Sequence, residues 1–246
     1  MLMSVAEIKG RAGVCPEIAG SRVLITGLGA TFGVDITRAF AEHGCRMVLQ
    51  IPDPCPETDA LLEIVAESAL DLRAHHSAIA KPESATRFAQ LANKAFGGLE
   101  TVINLIQVTR FDLNSATTLE DIETMFQHRL QTAAHTTQVA ANRMGLTWSN
   151  GSILNILRLP TPKTSAESAL AGILRTGFAA MVRLEAAKWG EQGIRVNGIA
   201  PRTNICDANP VLTDCMSNEP DIAAVAIYLA SKDGRAITGH VLDCDN

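Results

Sequence analysis

The chain reads as an α/β protein: a single Rossmann-like, doubly wound, mainly parallel sheet flanked by helices. Two observations predict this. Short apolar runs alternate with longer stretches of helical periodicity along the whole sequence, and a glycine-rich turn joins the first run to the first helix. Strands buried on both faces read as continuous apolar runs, and a helix between two of them implies a right-handed parallel crossover. A length of 246 residues suits one domain, and 47% hydrophobic residues supply a sizeable core.

Residues 1–17 read as a flexible tail before a domain spanning 18–246. Arg22–Gly27 (RVLITG) is the first strand. Phe32–His43 is a helix with Phe32, Ile36 and Phe40 on one face, stopped by Gly44. Arg46–Gln50 is a second strand, and Thr58–Ser68 and Pro82–Phe96 are helices. Thr101–Ile106 is a near-continuous apolar strand. Leu119–Met144 is one long helical stretch with a break expected near Met125. Ser152–Leu157 is a strand, Ser165–Trp189 a long helix capped by Ser165, and Ile194–Ile199 a strand. Pro220–Ala230 is a helix and Gly239–Asp243 the last strand.

Composition excludes several classes. A net charge of −5 disfavours nucleic acid and anionic membranes as partners. No apolar run approaches the roughly 18 residues of a bilayer span, and the N-terminus lacks a signal-peptide core. The six cysteines form no C-x-x-C pair and read as reduced, in a cytoplasmic protein. No metal site is expected. His75 and His76 are adjacent, and adjacent strand residues face opposite sides.

Thr26-Gly27-Leu28-Gly29-Ala30-Thr31-Phe32-Gly33 joins the first strand to the first helix. Gly27 can make the tight turn and Gly33 can let helix and strand pack closely. The helix N-terminus behind them offers free N–H groups to a phosphate. These residues fit either a phosphate site or a turn that serves folding alone.

The phrases GSRVLITG, FGGLETVINLI, GSILNI, GIRVNGIAP and IYLASKDGRAITGHVLDCD, together with Val108–Arg110, stand in order from about Ile18 to Asp245. In this the chain resembles short-chain dehydrogenases/reductases, and in pattern most of all 3-oxoacyl-[acyl carrier protein] reductases. The resemblance implies an NAD(P) site, for which Thr26, Gly27, Gly33 and Asn104 keep the family's residues. Elsewhere the family pattern is altered. Thr31 takes the middle glycine position, Ile51 that of the ribose-binding acid, Ala78-Ile79 that of the adenine-reading pair, and Arg202 that of the glycine after the sixth strand. The family's Asn, Ser, Tyr and Lys map onto Arg129, Arg158, Ala171 and Arg175. Alanine carries no proton and arginine stays protonated at ordinary pH. No member of that tetrad is intact, no cofactor is expected, and the chain reads as a non-catalytic binding or scaffolding subunit. The alternative is an NAD(P)-dependent oxidoreductase using non-standard residues.

By the same mapping Arg110, Arg129, Arg158, Arg175 and Arg202 gather at the former cleft. Two cations about 4 Å apart repel by roughly 4 kcal/mol at an effective dielectric of 20. The cluster is therefore splayed into solvent, paired with carboxylates, with Asp112, Glu167 and Glu185 in reach, or satisfied by a small anion on Arg110, Arg158, Arg175 and Arg202. The apolar residues of the long helices 119–144 and 165–189 lead us to expect a homodimer or homotetramer, or a heteromer with an active relative.

Overall fold

The computed structural model describes residues 15–79, 82–147, 149–201 and 219–243. Seven strands form one sheet: β1 Arg22–Thr26, β2 Arg46–Ile51, β3 Asp71–His76, β4 Thr101–Gln107, β5 Ser152–Arg158, β6 Arg195–Ala200 and β7 Val241–Asp243. All pairings are parallel, and the spatial order is β3-β2-β1-β4-β5-β6-β7. The chain winds outward one way from β1 and the other way from β4. That reversal leaves a crevice beyond the carboxyl ends of β1 and β4, where ligands bind in open α/β sheets.

The helices are α1 Val34–Glu42, α2 Pro56–Ser68, α3 Pro82–Ala95, α4 Arg110–Ser115, α5 Leu119–Phe126, α6 Thr132–Leu146, α7 Ser165–Trp189 and α8 Glu219–Ala230. One cluster packs Ile36 and Phe40 of α1 and Ile222 and Ala226 of α8 against Ile25, Leu49 and Ile103. On the opposite face, Leu130, Leu174, Phe178 and Val182 cover Ile106, Leu157 and Ala200. A third cluster joins Met144 and Trp189 to Val102, Ile153 and Val196. Both faces are thus covered, as the apolar strands require. Among the described residues no helix is long and apolar enough to cross a membrane.

Several local expectations change. The first helix starts at Val34 rather than Phe32, because Gly33 takes φ 90° at its N-cap and Phe32 turns inward as a fully buried side chain. The long helical stretch breaks after Phe126, where Gln127–Gln131 adopts a π-helical turn. Thr164, not Ser165, caps α7: its hydroxyl accepts from the Glu167 N–H at 3.2 Å. Of the expected tail 1–17, Cys15 is buried, next to the short 3₁₀ turn Pro16–Ile18 whose Ile18 is also buried. Residues 1–14 lie outside the described residues.

Candidate functional site

The crevice at the sheet reversal is an open cleft. Thr26 and Gly27 form one wall, Gln50, Pro52 and Ile79 the outer end, Asn104–Gln107 the floor, and His128, Arg129 and Thr132 the far side. Strand register explains the floor: Thr26 stands opposite Asn104, and Asn104 opposite Asn155. Asn104 is 1% exposed. Its Oδ1 accepts from the Thr26 hydroxyl at 2.9 Å, and its Nδ2 donates to Asn155 Oδ1 at 2.9 Å and Thr137 Oγ1 at 3.1 Å.

The glycine loop is built by Gly27 and Gly33. Gly27 has φ 78°, and a Cβ there would lie 2.3 Å from the Leu105 carbonyl oxygen. A Cβ at Gly33 would meet the Leu105 side chain. The Gly27 N–H donates to Gln50 Oε1 at 2.6 Å, and Gln50 Nε2 donates to the Ser77 carbonyl at 2.6 Å. Gln50 therefore ties the loop to the end of β3. Ile51, one residue later and the position the family resemblance marks for the ribose-binding acid, is fully buried.

An anion already sits on the N-terminus of α1. The Asp35 N–H donates to Glu219 Oε1 at 2.9 Å, and the Gly33 N–H lies beside the same carboxylate and favours its charge. Burial pushes the Glu219 carboxyl above the usual carboxylate range, as does the Asp35 charge, while the two N–H groups and Arg158 pull the other way. Arg158 lies on the same loop, donating to the Thr31 carbonyl at 2.6 Å with its guanidinium 5.4 Å from the centre of the Phe32 ring. Glu219 gave no local signal, since it is 184 positions from Asp35 and the contact exists only because α8 packs on α1.

The remaining arginines point to carboxylates. Arg129 Nη2 donates to both oxygens of Asp112 at 2.8 and 2.9 Å. Arg110 donates to Glu167 Oε2 at 3.0 Å and to the Thr161 carbonyl at 2.8 Å. Arg175 Nη2 bonds Asp243, and its Nε donates to the Pro201 carbonyl at 2.9 Å. Glu185 bonds Gln138 and Trp189 rather than an arginine. Ala171, 1% exposed, is packed inside α7. Arg202 lies outside the described residues. No group of three or more His, Cys, Asp or Glu side chains converges among the described residues.

Burial alone would raise the Asp112 carboxyl, but hydrogen bonds from Arg129 and from the backbone and hydroxyl of Thr109, with the Arg129 charge, hold it below the usual carboxylate range. A carboxylate lowered in the folded state contributes stability above its unfolded value, and that contribution is lost as pH falls through the lowered folded value. Asp112→Asn is therefore expected to cost about 1–2 kcal/mol at neutral pH, since charge-assisted bonds exceed neutral ones but Arg129 is partly solvated. The gap between the two proteins in urea denaturation should close as pH drops below the folded-state value. A gap that is constant down to pH 2 would refute this account.

A parallel sheet wound both ways from a glycine turn, with a cleft at the reversal, defines a dinucleotide-binding type of α/β protein. The family profile described as enoyl-(acyl carrier protein) reductase matches residues 27–246. The chain belongs to the short-chain dehydrogenase/reductase family. It is 31% identical over 242 residues to an uncharacterized oxidoreductase of Mycobacterium tuberculosis, covering 90% of this chain and 89% of that protein. A reductase from Anaplasma phagocytophilum solved with NAD superposes with TM-score 0.71 at 20% identity, covering 93% of each chain. A short chain dehydrogenase from Burkholderia cenocepacia solved with NADP superposes with TM-score 0.74 at 21% identity, covering 93% of this chain and 97% of that one.

These likenesses correct the expectation that no cofactor belongs here. Proteins of this architecture were solved holding NAD and NADP. That expectation rested on the altered positions Thr31, Ile51, Ala78-Ile79 and Arg202. The two glycines that shape the turn are in place, and the α1 N-terminus does seat an anion.

Proposed function

We propose that the chain is a nicotinamide-dinucleotide-dependent oxidoreductase that works without the family's usual Tyr–Lys pair. The observation that carries this is the cleft at the sheet reversal, with a helix N-terminus beside it that already accepts an anion. The residues fit the group. The Asp35 N–H at the α1 N-terminus would take a phosphate, Pro52 and Ile79 would flank the adenosine end, and Asn104–Gln107 with Thr132 would line the nicotinamide end. When bound, the dinucleotide supplies or accepts a hydride.

A carbonyl that gains a hydride must also gain a proton. Ala171 has none to give, and the Arg175 guanidinium is tied to Asp243 and Pro201. His128 lines the same cleft on the π-helical turn, and an imidazole can both give and take a proton. Turns of this kind recur at functional sites. Exposed Ile173 and Leu184 on α7 support assembly with a second copy through that helix.

The test is calorimetric titration with NADH and NADPH, followed by turnover on a panel of ketones and alcohols. Micromolar binding is expected, and His128→Gln should cut turnover by about 10²–10⁴-fold while leaving cofactor affinity nearly unchanged. Absence of binding up to millimolar cofactor would overturn the reading, and unchanged turnover in His128→Gln would remove His128 from it. A second reading, favoured by the packed Ala171, is a dinucleotide-binding subunit without turnover. It predicts binding by the wild type and no reduction of any carbonyl tried.

A further inference from the structure

The contact between Glu219 and α1 has a feature that helix capping alone does not require. An ordinary cap is local, from the residue just before the first turn. Here Gly33, at the N-cap, has no side chain to cap with, and the capping oxygen comes from the first residue of α8. The carboxylate is partly desolvated and stands near the like charge of Asp35, with Arg158 as its counter-charge. It accepts from the Asp35 N–H and lies beside the Gly33 N–H at the mouth of the glycine loop. The Asp35 N–H is the donor that a phosphate would need in the reading proposed above.

We propose that Glu219 is a tethered occupant of the dinucleotide's phosphate seat, so that a pyrophosphate must displace its carboxylate to bind. This inference rests on the dinucleotide reading and adds to it a competitor built into the chain. Pyrophosphate and carboxylate are both anions that accept from backbone N–H groups, so the seat serves one at a time. Release of Glu219 also leaves Arg158 facing the incoming anion, since its guanidinium is already bound to the Thr31 carbonyl. The ligand then inherits both the donor and the counter-charge. Apparent affinity is the intrinsic affinity multiplied by the fraction of molecules in which the seat is free.

Glu219→Gln keeps a carbonyl oxygen to accept from Asp35 but removes the charge. In calorimetric titrations of the full chain, it should bind inorganic pyrophosphate and NADH about tenfold more tightly than wild type. In wild-type protein labelled with ¹³C at glutamate side chains, the Glu219 carboxyl resonance should move on adding pyrophosphate, a readout that does not depend on the variant folding. If the variant gains affinity for pyrophosphate while neither protein binds NADH, the tethered occupant stands and the dinucleotide reading fails. If wild type binds NADH at micromolar affinity and the variant gains nothing, the occupant is wrong and the dinucleotide reading stands. A Glu219 resonance unmoved by millimolar pyrophosphate overturns the proposal outright.

Discussion

Gly27→Ala is expected to destabilise the protein by about 3 kcal/mol. A φ of 78° costs a non-glycine residue roughly 1–2 kcal/mol. The new Cβ would also lie 2.3 Å from the Leu105 carbonyl oxygen, and backbone cannot step aside as a side-chain tip can. Overpacking of this kind adds about 1–3 kcal/mol. For a chain of this size each kcal/mol is roughly 2–4 °C in Tm, so a drop of about 6–12 °C should appear in thermal denaturation. Gly97→Ala is the matched control. Its φ is 72°, but nothing lies within 4 Å of the added Cβ, so only the conformational part of the cost should appear. Equal losses in the two variants would mean that the contact between the glycine loop and β4 is not tight.

The second large effect belongs to Asn104. Asn104→Leu leaves the Thr26 hydroxyl without its acceptor and strips Asn155 and Thr137 of a donor, all inside the sheet. Each orphaned buried group costs about 1–3 kcal/mol, so the total should reach about 3 kcal/mol or more. Replacing both asparagines together should cost less than the two single losses summed, because groups in one network are coupled. Strict additivity in urea denaturation would show that the two amides do not act as a unit.

The apolar strands and the long helices were legible because burial leaves a direct trace in composition. Ser165–Trp189 was read with its observed bounds, and β1, β2, β4 and β5 to within a residue. β3 was not set out as a strand. It is an edge strand, its side chains are largely exposed or half-buried, and Asp71, Arg73, His75 and His76 give it no apolar run. α4 was missed because six residues are too few for a helical period, although Thr109 and Asp112 form a capping box at its start. At the cleft, Asp112 and Glu167 could be named as partners for arginines because they lie close to them in chain order or in the expected fold. Gln50 and Glu219 could not. The first turns on which of two adjacent residues at the end of β2 faces the loop, and the second on two helices meeting whose sequences carry no trace of each other.

The amide pair of β4 and β5 also bears on how the sheet finds its alignment. Strands this uniformly apolar can slide past one another with little change in greasy contact, and parallel pairing is already slow because it joins distant segments. Asn104 opposite Asn155 breaks that degeneracy. A misaligned pairing would leave the Asn104 amide and the Asn155 carbonyl without partners in a dry interior, whereas the native one lets Asn104 Nδ2 donate to Asn155 Oδ1, with only Asn155 Nδ2 unpartnered. Two polar side chains thus act as an indexing pin for the middle of the molecule.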